Sequence, residues 1–157
     1  MTHSDLLLLW RILAAAGFAF ALGFERELRG APAGDRTYAL IGIGSAAVTA
    51  VAIRSSPQAV AGVITGVGFV GGAFVFRSES GELRGITSAA TMFAVAGIGV
   101  VAGAGHILLA GLVTAIILVD LELRHLPLLR VLDARRYSAG VVSDDMPAMP
   151  DDATRQS

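Results

Sequence analysis

Five apolar segments dominate the chain, at residues 6–24, 37–53, 59–76, 86–104 and 106–123. Each is near the roughly 20 residues that a helix rising about 1.5 Å per residue needs to cross a hydrocarbon core. The second and fifth are short. Only Gly103-Ala104-Gly105 separates the fourth from the fifth, so a tight helical hairpin is required there. The pattern predicts an all-α, polytopic integral membrane protein of about five transmembrane helices in a glycine-rich bundle, spanning residues 1–124. Beyond it, residues 125–142 form a candidate membrane-surface segment through Leu126, Leu128, Leu129, Val131 and Leu132, with Arg130, Arg135 and Arg136 toward anionic headgroups. Residues 143–157 are acidic, contain proline and carry no apolar periodicity, and are expected to be a disordered tail.

Composition supports the bilayer as solvent. Hydrophobic residues make up 54% of the 157, leaving too little polar surface to cover a soluble globule. Aromatics supply only 6%, while Gly, Ala, Val, Leu and Ile dominate, as expected where helices approach closely without a hydrophobic force between them. The net charge of −1 gives no basic face for nucleic acid. Without cysteine there is no disulfide, thiolate metal site or thiol nucleophile. His3, His106 and His125 show no ligand spacing, so neither a metal site nor a cofactor is expected.

All twelve cationic residues are arginine, and their placement sets an orientation, because cytoplasmic loops collect positive charge. With the N-terminus outside, Arg26, Arg29 and Arg36 fall in the first inner loop, and Arg77 and Arg84 in the second. Arg124, Arg130, Arg135 and Arg136 follow the last helix, whereas outer loops receive only Arg54. The expected topology is N-out, C-in. No Lys or Arg precedes the first apolar run and Asp5 does, so that run reads as a retained helix rather than a signal peptide. Arg11, about one turn from the outer end, reads either as an interfacial anchor beside Trp10 or as a functional intramembrane charge.

Two features suggest interaction surfaces. The third segment holds the spacings Gly62/Gly66 and Gly68/Gly72, which predict a buried central helix closely approached by a neighbour, with a ligand-cradling role as the alternative. The fourth repeats the device with Gly97, Gly99 and Gly103. At the inner edge of the first helix, Gly23-Phe24-Glu25-Arg26-Glu27-Leu28-Arg29-Gly30 mixes both charge signs. Either it ends the helix, with Glu25 and Arg29 paired at i, i+4, or Glu25 and Arg26 are partly buried groups that line a cavity or dock a partner. Arg36-Thr37 opens the second helix and Arg84-Gly85-Ile86-Thr87-Ser88 the fourth; Thr37, Thr87 and Ser88 could cap the free amides there. If these edges converge, Glu25 and Glu27 meet two helix N-termini and two arginines in one ion-paired knot.

These runs carry a resemblance. Gly23-Phe24-Glu25-Arg26-Glu27, Arg36-Thr37-Tyr38-Ala39-Leu40-Ile41-Gly42, Thr65-Gly66-Val67-Gly68-Phe69-Val70-Gly71-Gly72 and Arg84-Gly85-Ile86-Thr87-Ser88-Ala89-Ala90 resemble, in order and interval, the signature runs of MgtC/SapB membrane proteins. The resemblance covers roughly residues 5–120. It implies a bacterial inner-membrane protein of about five spans, associated in some members with magnesium limitation, acid stress and intracellular survival. It places Glu25, Arg26, Glu27, Arg36, Thr37, Thr65, Gly66, Gly68, Phe69, Gly71, Arg84 and Thr87 at signature positions. Where the family commonly has Asp-Pro-x-Arg before the third helix and a Gln within it, this chain has Ser55-Ser56-Pro57-Gln58 and Gly62, so an acid and an intramembrane amide are lost. The chain is expected to be the short, SapB-like form without the C-terminal soluble domain.

The resemblance implies a non-enzymatic regulator that binds other membrane proteins, the ATP synthase among them. The alternative is a small transporter or channel for a divalent cation, which needs carboxylates at membrane depth; Glu25, Glu27, Asp120 and Glu122 all lie near edges. An enzyme is not expected, since no nucleophile and base can be paired. The glycine faces could serve packing within the chain or a homo-oligomer.

Overall fold

The computed structural model describes residues 2–77 and 83–123, the side chains of residues 76–77 and 83–84 excepted. Five helices follow one another: α1 (His3–Leu28), α2 (Asp35–Ala52), α3 (Pro57–Ala73), α4 (Ile86–Gly103) and α5 (Ile107–Leu123). Between α3 and α4 lies a short antiparallel ladder, β1 (Phe76–Arg77) and β2 (Leu83–Arg84), pairing Phe76 with Arg84 and Arg77 with Leu83. Helix positions follow the apolar segments closely. The proposed surface segment at 125–142 and tail at 143–157 lie outside the described residues.

The first helix is longer than its apolar run, and the reason is local. It starts in a capping box: the Asp5 amide donates to Thr2 Oγ1 at 3.3 Å, and the Thr2 amide donates to Asp5 Oδ2 at 2.8 Å. The mixed charges at residues 25–29 do not end it. Glu, Arg and Leu are good helix formers, so the helix continues until Gly30 takes a left-handed turn at φ 69°. There the Gly30 amide donates to Glu27 O and the Ala31 amide to Arg26 O, which satisfies the last carbonyls, and Pro32 prevents continuation. A 26-residue helix is roughly 39 Å long, more than the thickness of a hydrocarbon core of about 30 Å.

The interior is built from small side chains. On α1, Ala15, Ala19 and Gly23 recur every four residues and are buried against α2. A Cβ on Gly42 of α2 would stand 2.5 Å from the Ala19 Cβ, and one on Gly23 would stand 2.6 Å from Asp35 Cα. The other side of α2 meets α4 as closely: a Cβ on Gly99 would stand 2.7 Å from Ser45 Cβ, and one on Gly103 would stand 2.5 Å from Ala46 O. Helices α1, α2 and α4 therefore form the core, with Leu22, Tyr38, Met92, Val95 and Ile98 filling it. Large apolar side chains point outward instead, including Leu13, Phe20, Leu40, Val51, Phe93, Leu108 and Ile116. That inversion suits a chain solvated by lipid, where small residues let helices approach and large ones face the tails. Helices α1 and α4 are long and apolar enough to cross a membrane, and α3, at 17 residues, is apolar but shorter.

The third helix departs from the expected buried, central position. It lies at the side of the bundle, touching α4 and α2, and Gly71 is its buried residue, packed on Ala89. Gly62, Gly66, Gly68 and Gly72 have open space where a Cβ would go. The spacing marks a smooth stripe, but the core had already been filled by the small-residue faces of α1, α2 and α4. Helix α5 buries Ala110 and Thr114 and leans its Gly111 on the Phe18 ring.

The expected side-chain caps are also corrected. Gly34 is the N-cap of α2 and Gly85 that of α4, neither with a side-chain cap bond, and Thr37, Thr87 and Ser88 lie inside the helices. Gly85 has φ 86°, and a Cβ there would collide with the Phe74 carbonyl oxygen. Gly85→Ala is expected to lower stability by at least about 2 kcal/mol, from left-handed strain plus the clash. A thermal unfolding curve in detergent checks this.

Candidate functional site

The residues singled out in the sequence separate into two groups in space. The first gathers where α1 ends and α2 and α4 begin. Glu25 is 8% exposed and lies between two arginines: Arg29 Nε is 3.3 Å from Oε1, and Arg26 Nη1 is 3.9 Å from Oε2. One helical turn fixes the Arg29 pair, as the i, i+4 spacing predicts. Glu25 Oε2 and Arg26 Nε are buried without a hydrogen-bond partner. Glu27 turns away from this pair and accepts from the Asp35 amide at 3.2 Å through Oε2, so a carboxylate of α1 caps the positive end of α2.

The anticipated knot is thus partly assembled. Glu27 meets the N-terminus of α2, but Glu25 is held by arginines of its own helix, and Arg36 is exposed. The Arg84 side chain lies outside the described residues. What ties α2 to α4 is Tyr38, fully buried, whose hydroxyl donates to the Ser88 carbonyl oxygen at 3.3 Å with Thr91 and Arg26 beside it. Thr91 Oγ1 donates to the Thr87 carbonyl at 2.7 Å, so Thr87 contributes its backbone while its side chain is exposed. A polar cleft of about 450 Å³ opens outside the cluster, lined by Glu27, Ala31, Pro32, Asp35, Arg36 and Thr37.

The second group is on α3. Thr65 Oγ1 donates to the Ala61 carbonyl at 3.1 Å, Gly66 and Gly68 are exposed, and Phe69 is 82% exposed. Of the glycines in this run, Gly71 is the one packed against another helix among the described residues, at Ala89. Along α2, Ser45 and Thr49 are buried against α4 with hydroxyls that find no partner. Among the described residues no group of three or more His, Asp or Glu is placed to hold a metal ion.

Sequence reasoning missed Tyr38 as the α2–α4 tie and the Ala15/Ala19/Gly23 face of α1. The signal for that face was present, since its spacing is the same as that of the glycines on α3. Sequence reasoning also gave Arg11 no partner within the chain: its Nη1 donates to the Gly103 carbonyl oxygen at 3.3 Å, at the C-terminal end of α4.

Comparisons with known proteins place the chain in a family. The MgtC family matches residues 12–126. An uncharacterized protein of Haemophilus influenzae is 33% identical over 132 residues, covering 75% of this chain and 56% of its own length. Protein MgtC of Brucella abortus is 38% identical over 125 residues, covering 76% of this chain and 51% of its own, and Protein MgtC of Salmonella typhimurium is 37% identical over 111 residues, covering 68% and 48%. The chain spans about half the length of the curated relatives it matches. No solved structure matches it significantly. The match takes in all four of these runs, three of them at α1, α2 and α4 and one on α3, and the chain belongs to the MgtC family.

Proposed function

We propose that this chain is a multi-pass protein of a bacterial inner membrane, with all five helices crossing and the topology N-out, C-in. On this reading it acts as a non-enzymatic regulator, tied to magnesium homeostasis or stress adaptation, by docking membrane-protein partners. The observation that carries the docking role is the face of α3, where Gly62 and Gly66 have nothing against them and Phe69 projects outward. In lipid such a face allows a partner helix to approach at backbone distance. The family resemblance suggests the ATP synthase as one partner. A cation transporter is supported less, because Glu25 is engaged by Arg26 and Arg29 and Glu27 by an α2 amide.

The test is site-specific photocrosslinking in the bacterial membrane from a benzophenone side chain replacing Phe69, with the same group at Leu112 of α5 as a lipid-facing control. A protein adduct from position 69, reduced by Gly66→Leu, is the expected result; adducts to lipid alone would count against docking, and an adduct to the chain itself would identify a homo-oligomer. Gly66→Leu itself is expected to change stability by no more than about 0.5 kcal/mol, since it projects into open space. Purified protein in liposomes is expected to pass no magnesium, and flux abolished by Glu25→Gln would restore the transporter. A C-terminal fluorescent-protein fusion should fluoresce, as only a cytoplasmic C-terminus allows.

A further inference from the structure

The opposite end of the bundle from Glu25 carries a second cluster of charge. Arg11 of α1 and Arg54, just beyond α2, line one cleft of about 250 Å³, together with Ser4, Leu7, Leu8 and Val51. No carboxylate among the described residues pairs with either arginine. Asp5, the nearest acid in sequence, is committed to the Thr2 capping box, and the Ser4 hydroxyl shares a hydrogen bond with Thr2 Oγ1 at 2.7 Å. Arg11 is also held in place: besides donating to Gly103 O, its guanidinium lies over Gly105, where a Cβ would stand 3.1 Å from Cζ. That leaves most of its five N–H donors for something outside the chain.

We infer that this cleft binds the phosphate of an anionic membrane lipid. Two guanidinium groups offer the paired donors that phosphate oxygens accept. Leu7, Leu8 and Val51 supply apolar wall beside them, and Leu7 and Val51 are exposed, as contact with an acyl chain requires. Trp10, next to Arg11 and 66% exposed, is the kind of side chain that marks the headgroup level. A lipid is favoured over free phosphate because the cationic and apolar walls belong to the same cleft. The inference rests on the chain's residence in a bilayer.

Trp10 is the chain's single tryptophan and stands next to Arg11 of the cleft in sequence, which makes it a local donor for energy transfer. The protein is placed in phosphatidylcholine vesicles with a small fraction of dansyl-labelled phosphatidylglycerol or, in parallel, dansyl-labelled phosphatidylcholine, and energy transfer from Trp10 is read. Cofloatation with the vesicles checks insertion first, and a protein that fails to float overturns both the membrane reading and this one. Anionic lipid is expected to be enriched at Trp10 by about fivefold over phosphatidylcholine. Arg54→Gln, an exposed position whose loss leaves the helices intact, should bring the two lipids close to equal, and Arg54→Lys should restore part of the difference. Equal transfer from both lipids in the floated wild-type protein, or an undiminished excess in Arg54→Gln, would overturn the site. Loss of the excess on adding inorganic phosphate, with potassium chloride at matched ionic strength ineffective, would overturn the lipid as ligand and assign the cleft to soluble phosphate.

Discussion

Gly103→Leu is expected to prevent assembly of the bundle. Even the first carbon of the new side chain would stand 2.5 Å from Ala46 O, 3.0 Å from Ala46 Cα and 3.0 Å from Thr49 Cβ. Two of these atoms are backbone and cannot swing aside, so α4 must move off α2. Overpacking typically costs about 1–3 kcal/mol where side chains can yield, and this site should exceed about 3 kcal/mol. Gly99→Ala meets Ser45 Cβ at 2.7 Å and Gly42 O at 2.8 Å and should cost about 2 kcal/mol. Gly97, two residues before it on the same helix, has nothing within reach. Gly97→Ala should therefore stabilise by up to about 1 kcal/mol through helix propensity alone. Thermal unfolding and the monodisperse fraction on size exclusion in detergent distinguish the three variants. A Gly103→Leu protein as stable as wild type would mean that α2 and α4 do not meet at this distance.

Glu25→Gln is the second substitution with a large expected effect. The carboxylate is buried between Arg26 and Arg29, and neutralising it leaves the part-buried Arg26 guanidinium without its counter-charge. Removing one partner of a buried pair costs about 3–5 kcal/mol. Solvent screening at Arg29, whose side chain is 35% exposed, and the long 3.9 Å separation from Arg26 reduce the expectation to about 2 kcal/mol. A double variant, Glu25→Gln with Arg26→Gln, should recover part of the loss, because the unpaired charge is removed with its partner. Denaturant unfolding of the two singles and the double measures that coupling. If Glu25→Gln alone is silent, the buried pair contributes nothing to the fold. Arg29→Gln should cost less than either, since its head is already partly in water.

Several outcomes at these sites were legible before any coordinates. The pairing of Glu25 with Arg29 needs only one turn of helix, so spacing alone predicted it. Helix positions were equally legible, because an apolar block long enough to cross a bilayer must satisfy its own backbone and does so as a helix. The ends were less so. The first helix runs four residues past its apolar block because residues 25–28 are helix formers, and the true stop is Gly30, a signal of backbone conformation rather than of hydropathy.

Which small-residue stripe would be buried could be decided only in three dimensions. Ala15/Ala19/Gly23 on α1, Gly99/Gly103 on α4 and Gly62/Gly66 on α3 carry the same spacing, yet the first two are packed at backbone distance and the third is open. Periodicity says that a helix has a smooth face; it does not say which other face is complementary, because that depends on the crossing of helices distant in sequence. The same limit hid Tyr38, whose bond to Ser88 spans fifty residues, and Arg11, whose partner Gly103 is ninety-two away. By itself, then, the sequence determined the helices and the charged edges, both of which follow from local composition. The tertiary structure alone decided which glycines hold the core, which carboxylate caps a neighbouring helix, and which two arginines share a cleft, since each is a meeting of groups brought together only by packing.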